Sequence, residues 1–196
     1  MITIIPTVGS NLNSICSAID RLKLDWQISE QPDVIKASKK VILPGVGHAE
    51  TAMEKLRSKG LDETICSLKQ LTLGICLGMQ LLFEESEEGS DAVHCLSLIP
   101  GKVKRIPSKP GMSLPHMGWN QVRAAAPSSY WQRHLVEDYY YFVHGYYCEG
   151  GPWVKAETDY IEAIPAIVEH ENFVGIQFHP EKSSTAGLEL LRSYLS

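Results

Sequence analysis

The sequence predicts an α/β fold: a parallel sheet flanked by helices, with an added antiparallel β segment. Three observations predict it. In the first half, short apolar runs at strand spacing alternate with helix-spaced segments, the pattern of βα units. Two of these strands end abruptly in glycine-bearing stretches, Pro44-Gly45-Val46-Gly47 and Gly74-Ile75-Cys76-Leu77-Gly78. Beyond residue 90, helical spacing gives way to short aromatic and β-branched runs separated by turn residues.

Taken in order, residues 2–5 (ITII) form a first buried strand. The stretch 7–13 (TVGSNLN) breaks it, and 12–24 carries Leu12, Ile15, Cys16, Ile19 and Leu22 at helical spacing. Residues 26–29 read as a second strand and 32–37 as a short helical or turn segment. A third strand, 40–43 (KVIL), runs into Pro44–Gly47. The helix expected over 48–59 places Ala49, Ala52, Met53 and Leu56 on one face, and 61–68 reads as another helical stretch. Leu71, Leu73 and Ile75 alternate as a fourth strand, and Met79, Leu81, Leu82 and Phe83 continue as a helix-compatible apolar run. The acidic stretch 84–90 reads as a solvated loop. The antiparallel segment is expected from 103–106, 121–123, 140–147 and 153–158. Residues 164–169 and 173–177 close as a hairpin turning at Glu171-Asn172, and a final helix over 185–194 shows Leu188, Leu191 and Leu195 on one face.

At 196 residues, 44% hydrophobic and 21% charged, the chain suits one compact domain spanning 1–196. A net charge of −5 and a pI near 5.8 argue against a nucleic-acid or anionic-membrane binder. Lys102, Lys104, Arg105 and Lys109 make a small basic patch that reads as a solvated loop. Five cysteines, an odd number without C-x-x-C pairs, favour reduced thiols in a cytoplasmic setting. The first six residues are too short and uncharged for a signal peptide, and no run has the length of a membrane span.

Gly74-x-Cys76-x-Gly78 is the thiol form of the G-x-S-x-G elbow, in which a nucleophile sits on a sharp strand-to-helix turn. A helix N-terminus there favours thiolate and can receive an oxyanion. The same stretch also fits a buried structural cysteine. An activated thiol needs a base, and the base needs an orienting group. His179 and Glu181 flank Pro180, so an extended segment sends both side chains to one side. Taken alone, that triplet also fits an exposed turn carrying charge. The two glycines of Pro44–Gly47 can point a backbone N–H inward, and with the N–H of Leu77 they offer an oxyanion hole. Among the other histidines, His116 and His144 sit in aromatic stretches and are candidates for the site wall. These groups would serve acyl transfer on a peptide or ester as well as on an amide.

The set PGVGH, GICLGMQ, PHMGWN, YFVHGY and QFHPEKS, with GSNLNS near the N-terminus, resembles the class I (triad-type) glutamine amidotransferases. More narrowly it is similar to their histidine-pathway branch, HisH, the glutaminase subunits of imidazole glycerol phosphate synthase. The resemblance covers nearly the whole chain. It implies a flavodoxin-like core in which Cys76 is the nucleophile, His179 the base and Glu181 its orienter, and in which no metal or organic cofactor takes part. It also implies that glutamine is hydrolysed through a glutamyl thioester, with Gln80 and the backbone of His144, Gly145 and Tyr146 as substrate contacts and Gly47 on the oxyanion strand.

The partner it implies is the cyclase subunit HisF, a (β/α)8 barrel that receives the ammonia. Asn11, Trp119, Asn120, Tyr141 and Lys182 match family positions near that interface. One departure is Gly145, where many relatives carry Ser or Thr, so a hydroxyl that can contact glutamine is missing. The subunit of another pathway, such as anthranilate or pyridoxal phosphate synthesis, and a non-catalytic module of the same fold are the competing readings. PHMGWN argues against the first, and the intact Cys76, His179 and Glu181 set against the second.

Overall fold

The structure, a computed structural model, describes residues 1–7, 12–89, 91–125, 134–135 and 138–196. Its first half is built from β1 (Ile2–Ile4), α1 (Leu12–Leu22), β2 (Trp26–Ile28), α2 (Pro32–Lys36), β3 (Lys40–Gly45), α3 (Ala49–Ser58), α4 (Leu61–Cys66), β4 (Thr72–Cys76) and α5 (Leu77–Gln80). β1 to β4 are parallel in the order β2-β1-β3-β4. Alternation along the strands splits the core into two layers. Ile42, Leu73 and Ile75 pack with Ile15 and Ile19 of α1 on one face, while Val41 and Leu43 pack with Met53, Leu56 and Ile65 of α3 and α4 on the other. Each such side chain, fully buried, is worth about 1.5–3 kcal/mol.

The second half holds β5 (Glu85–Ser86), β6 (Val93–His94), β7 (Lys102–Arg105), β8 (His116–Ala124), β9 (Tyr139–His144), β10 (Tyr146–Cys148), β11 (Val154–Asp159), β12 (Ala163–His170) and β13 (Phe173–Ile176). A 3₁₀ turn, Pro180–Lys182, and α6 (Ser184–Leu195) follow. β13 lies parallel to β4, and β12, β11, β8 and β9 then extend the same sheet antiparallel. The predicted hairpin is therefore the hinge between the two halves: it turns at Glu171, whose φ is +53°.

Several expectations are corrected. The run predicted over 140–147 is two strands, because the chain changes sheets at Gly145. β9 pairs with β8, whereas β10 pairs with β7 in a small second sheet of order β10-β7-β5-β6. The stretch around 121–123 is only the end of the longer β8. Three of the four basic-patch residues lie in β7, not in a loop, and Lys102 and Lys104 pair with Glu85 (2.8 Å) and Glu149 (2.5 Å). The acidic stretch contributes β5, and Glu88 is turned inward. The helix after the elbow is a single turn, so little macrodipole is available to Cys76.

Glycines dictate how closely that turn sits on the sheet. A Cβ on Gly78 would stand 1.7 Å from the Leu43 carbonyl oxygen of β3, and one on Gly74 would stand 2.5 Å from the carbonyl oxygen of Gly78. The glycines that bracket Cys76 thus let α5 lie flat on β3 and β4. Gly78→Ala should therefore destabilise the chain by about 3 kcal/mol or more, since backbone has to move. Gly60→Ala, at φ +63° in open space, should cost only about 1–2 kcal/mol. Urea denaturation of both variants checks the ranking, and equal losses would contradict it.

Candidate active site

Parallel register assembles the site. Gly45 of β3 pairs beside Cys76 of β4, and Ile176 of β13 pairs beside Ile75, so all three strands end on one rim. Cys76 ends β4 and turns the chain at φ +53°, a region that L residues seldom occupy. From β13 the chain continues through Gln177 and Phe178 to His179. The antiparallel half curls over this rim: the His179 N–H donates to the Tyr141 carbonyl of β9 (2.9 Å), and the Tyr141 N–H donates to Ser183 Oγ (2.9 Å). Phe142 and Phe178 pack edge to face beneath, with centroids 5.6 Å apart.

Cys76, His179 and Glu181 come together here. The Nδ1 of His179 is 2.8 Å from Glu181 Oε1, and both side chains are about 95% buried. The other ring nitrogen, Nε2, is buried beside the Cys76 sulfur without completing a hydrogen bond of good geometry. Burial opposes a charged ring at His179, yet Cys76 and Glu181 outweigh it and raise its pKa to about 10. Burial holds the Cys95 thiol up at about 12 and raises Cys16, Cys66 and Cys148 as well, so these four stay protonated at neutral pH.

In front of the sulfur lies a cleft of about 250 Å³, walled by Val46, Gly47 and Leu77 on one side and by Val143–Tyr146 on the other. It is smaller than the roughly 300–1,000 Å³ of drug-sized pockets. Gly47, at φ +109°, stands at its mouth with Leu77, so both predicted oxyanion donors line it. Gln80, His144, Gly145 and Tyr146 line it too. The Gln80 amide nitrogen is already committed, donating to the Tyr146 carbonyl and to Gln177 Oε1 (both 2.9 Å), and Gln177 Nε2 lies 3.8 Å from Cys76 Sγ.

Of the predicted interface positions, Trp119 is exposed and meets Tyr141 at 6.0 Å between ring centroids, and Lys182 is exposed at the end of the 3₁₀ turn. Asn120 is half-buried, and Asn11 lies outside the described residues.

Two residues of this site escaped sequence reasoning. Gln177 sits inside the QFHPE motif, and its position immediately before the histidine segment was the available signal. Glu88 lies in the acidic stretch, where nothing marks it. Its carboxylate accepts the N–H of Ala49 at the start of α3 (3.0 Å), lines the cleft, and has its pKa raised by burial. Among the described residues, no helix is long and apolar enough to cross a membrane.

The chain resembles known proteins over nearly its whole length. The family description "Glutamine amidotransferase class-I" matches residues 7–195. The chain is 44% identical over 194 residues to the imidazole glycerol phosphate synthase subunit HisH of Pasteurella multocida, covering 99% of this chain and 96% of that one. It is 43% identical over 196 residues to the subunit of that name from Escherichia coli K12, covering 99% and 98%. A solved structure of a glutamine amidotransferase overlays with a TM-score of 0.74 at 16% identity, over 100% of this chain and 99% of that one, and so matches it in fold.

His179 binds its proton more tightly in the folded chain than in the unfolded one. Its contribution to stability is therefore complete below about pH 6.5 and is lost as pH rises toward about 10. Glu181→Gln keeps an acceptor at Nδ1 but removes the negative charge, so the ring should titrate below its native value. NMR titration of the His179 ring in both forms reads this directly, and an unchanged midpoint would refute the assigned role of Glu181. The loss of stability toward about pH 10 should also be smaller in the variant.

Proposed function

This chain belongs to the class-I glutamine amidotransferases, and we propose that within them it is the glutaminase subunit of an imidazole glycerol phosphate synthase, serving histidine biosynthesis. The observation that carries the reading is the buried His179–Glu181 pair set against Cys76 at the rim of a cleft sized for one small amino acid.

The chemistry follows from the protonation just described. Imidazolium at His179 stabilises a thiolate at Cys76, whose sulfur attacks the side-chain carbonyl carbon of glutamine. The C=O becomes an oxyanion, for which Gly47 and Leu77, both lining the cleft, supply the backbone N–H donors in this reading. His179 then gives its Nε2 proton to the amide nitrogen, the C–N bond breaks, and ammonia leaves a glutamyl thioester. Water loses a proton to His179 and adds to the thioester, which releases glutamate and restores the thiolate–imidazolium pair. Glu181 keeps the ring oriented and its charge balanced throughout. At the substrate's other end, the Glu88 carboxylate supplies a negative charge for the α-ammonium group, and the 144–146 backbone together with Gln80 supplies hydrogen bonds.

The ammonia is passed to the cyclase subunit HisF, a barrel docking on the face that carries Trp119, Asn120, Tyr141 and Lys182. An exposed tryptophan and a lysine are suitable anchors for such a contact. The backbone bond from Tyr141 to His179 gives the partner a short mechanical route to the base. Gly145, without a hydroxyl, contributes only its backbone. Five free thiols suit a cytoplasmic setting.

Glutamine hydrolysis by the purified chain, with and without HisF and its nucleotide substrate, tests the proposal. Hydrolysis should rise sharply with the partner and disappear in Cys76→Ala. A chain that hydrolyses no glutamine in the complex would overturn it. Glu88→Gln should raise KM for glutamine on the order of tenfold, with a smaller effect on kcat. An unchanged KM would remove Glu88 from the ammonium site.

A further inference from the structure

A chain of hydrogen bonds runs from the half-buried Asn120 of β8 to the sulfur, and its outer half takes no part in the cleavage chemistry. Asn120 Nδ2 donates to the Asp159 carbonyl (2.9 Å), while Asn120 Oδ1 is 3.0 Å from His116 Nε2. His116 Nδ1 is 3.0 Å from His144 Nε2, and His144 Nδ1 is 2.8 Å from the Tyr146 carbonyl. That carbonyl also accepts from Gln80, which bonds Gln177 beside Cys76.

We propose that His116 is a positioning residue of the glutamine cleft: it holds His144 in the Nδ1–H tautomer, and so keeps Tyr146 and Gln80 in place beside Cys76. The proposal rests on the glutaminase reading above. A carbonyl only accepts, so His144 must carry its proton on Nδ1 to hold Tyr146. Its Nε2 then needs a donor, and His116 Nδ1 is the group in reach. His116 cannot swing away, because it is buried between Phe142 and Tyr160, stacked at 4.9 and 3.9 Å between centroids. This is also why His144 lines the cleft without acting as a second base: burial, the largest influence, lowers its pKa to about 3.

Asn120 decides how many protons the pair holds. With its oxygen on His116 and its nitrogen on Asp159, His116 Nε2 must donate as well, and two rings then share three protons. Burial disfavours that charge on His116 as well as on His144. Turning the Asn120 amide lets it donate to His116 and leaves the pair neutral, at the cost of one half-exposed bond to Asp159. Around the pair stand Asp159 (paired with Arg123) and Tyr160 at the end of β11, Tyr146 on β10, and His179 beyond β13, whose charge further lowers His144. In both arrangements His144 keeps its proton on Nδ1.

The test uses the complex with HisF and ¹⁵N-labelled histidine. Wild-type His144 should show a protonated Nδ1, with Nε2 as the hydrogen-bonded acceptor or sharing the pair's third proton. A neutral Nε2–H tautomer at His144 would overturn the inference whatever the variants do, including a variant that fails to fold. His116→Phe keeps the stacking but removes both nitrogens, and it should raise KM for glutamine about tenfold with a smaller change in kcat. His116→Asn returns a donor near the Nδ1 position and should restore the tautomer and most of the affinity. Equal losses in the two variants, or a wild-type KM in His116→Phe, would also overturn it. A wild-type complex that hydrolyses no glutamine would count against the glutaminase reading alone, since the tautomer is read independently of turnover.

Discussion

At Cys76 the backbone is held at φ +53°, a conformation that costs a non-glycine residue of order 1–3 kcal/mol and survives only where its surroundings over-determine it. Here the surroundings are Gly74 and Gly78. Because neither has a Cβ, the single turn of α5 drops onto β3 until Gly78 touches the Leu43 carbonyl. Gly175 completes the seat from the other side, where a Cβ would stand 2.5 Å from Met79 Cγ. The turn is pinned there, and Cys76, although only 6% exposed and packed with the core, lines the cleft at the rim. A side chain at Gly74 or Gly78 would meet backbone and force it to shift, whereas one at Gly175 would press on the Met79 and Val168 side chains.

The register of three parallel strands does the rest. β3, β4 and β13 are neighbours in space but belong to distant parts of the sequence, and each delivers one functional stretch to the same edge: Pro44–Gly47, Cys76, and Gln177–His179. The antiparallel extension then bends back over that edge and clamps it through the Tyr141–His179 backbone bond and the Phe142–Phe178 contact. Tyr141 meets Trp119 through its ring and accepts the His179 N–H through its carbonyl, so one residue of β9 touches both the exposed tryptophan and the segment that carries His179.

The parallel half was legible because buried strands and amphipathic helices have different periods, and the glycine pairs mark where one passes into the other. Cys76, His179 and Glu181, which the structure brings together, were each singled out by a short motif whose spacing is local. The change of sheet at Gly145 was not legible: β9 and β10 share one aromatic, β-branched composition, and only their distant partners, β8 and β7, tell them apart. Glu88 was missed for a related reason. A carboxylate in an acidic stretch looks solvated until tertiary packing turns it toward the start of α3. The one-turn α5 was overestimated because Leu81, Leu82 and Phe83 satisfy helical spacing while serving as core contacts of a turn. Asn11, named from the family motif, lies outside the described residues.

His144 and His179 share this site, both are buried, and their pKa values move in opposite directions. The difference lies in what faces each ring. His179 looks at a carboxylate on one side and a sulfur on the other, so two potential anions compensate the desolvation of its charge. His144 looks at a carbonyl and a second imidazole, neither of which carries negative charge, and burial wins. The proposed chemistry needs that asymmetry. A second protonated ring beside the cleft would compete for the thiolate and repel the ammonium end of the substrate. Keeping His144 uncharged while still using it as a donor requires a partner that accepts no proton from it and supplies one to its other nitrogen. His116 meets that requirement, and the stacking of Phe142 and Tyr160 on its ring holds it there.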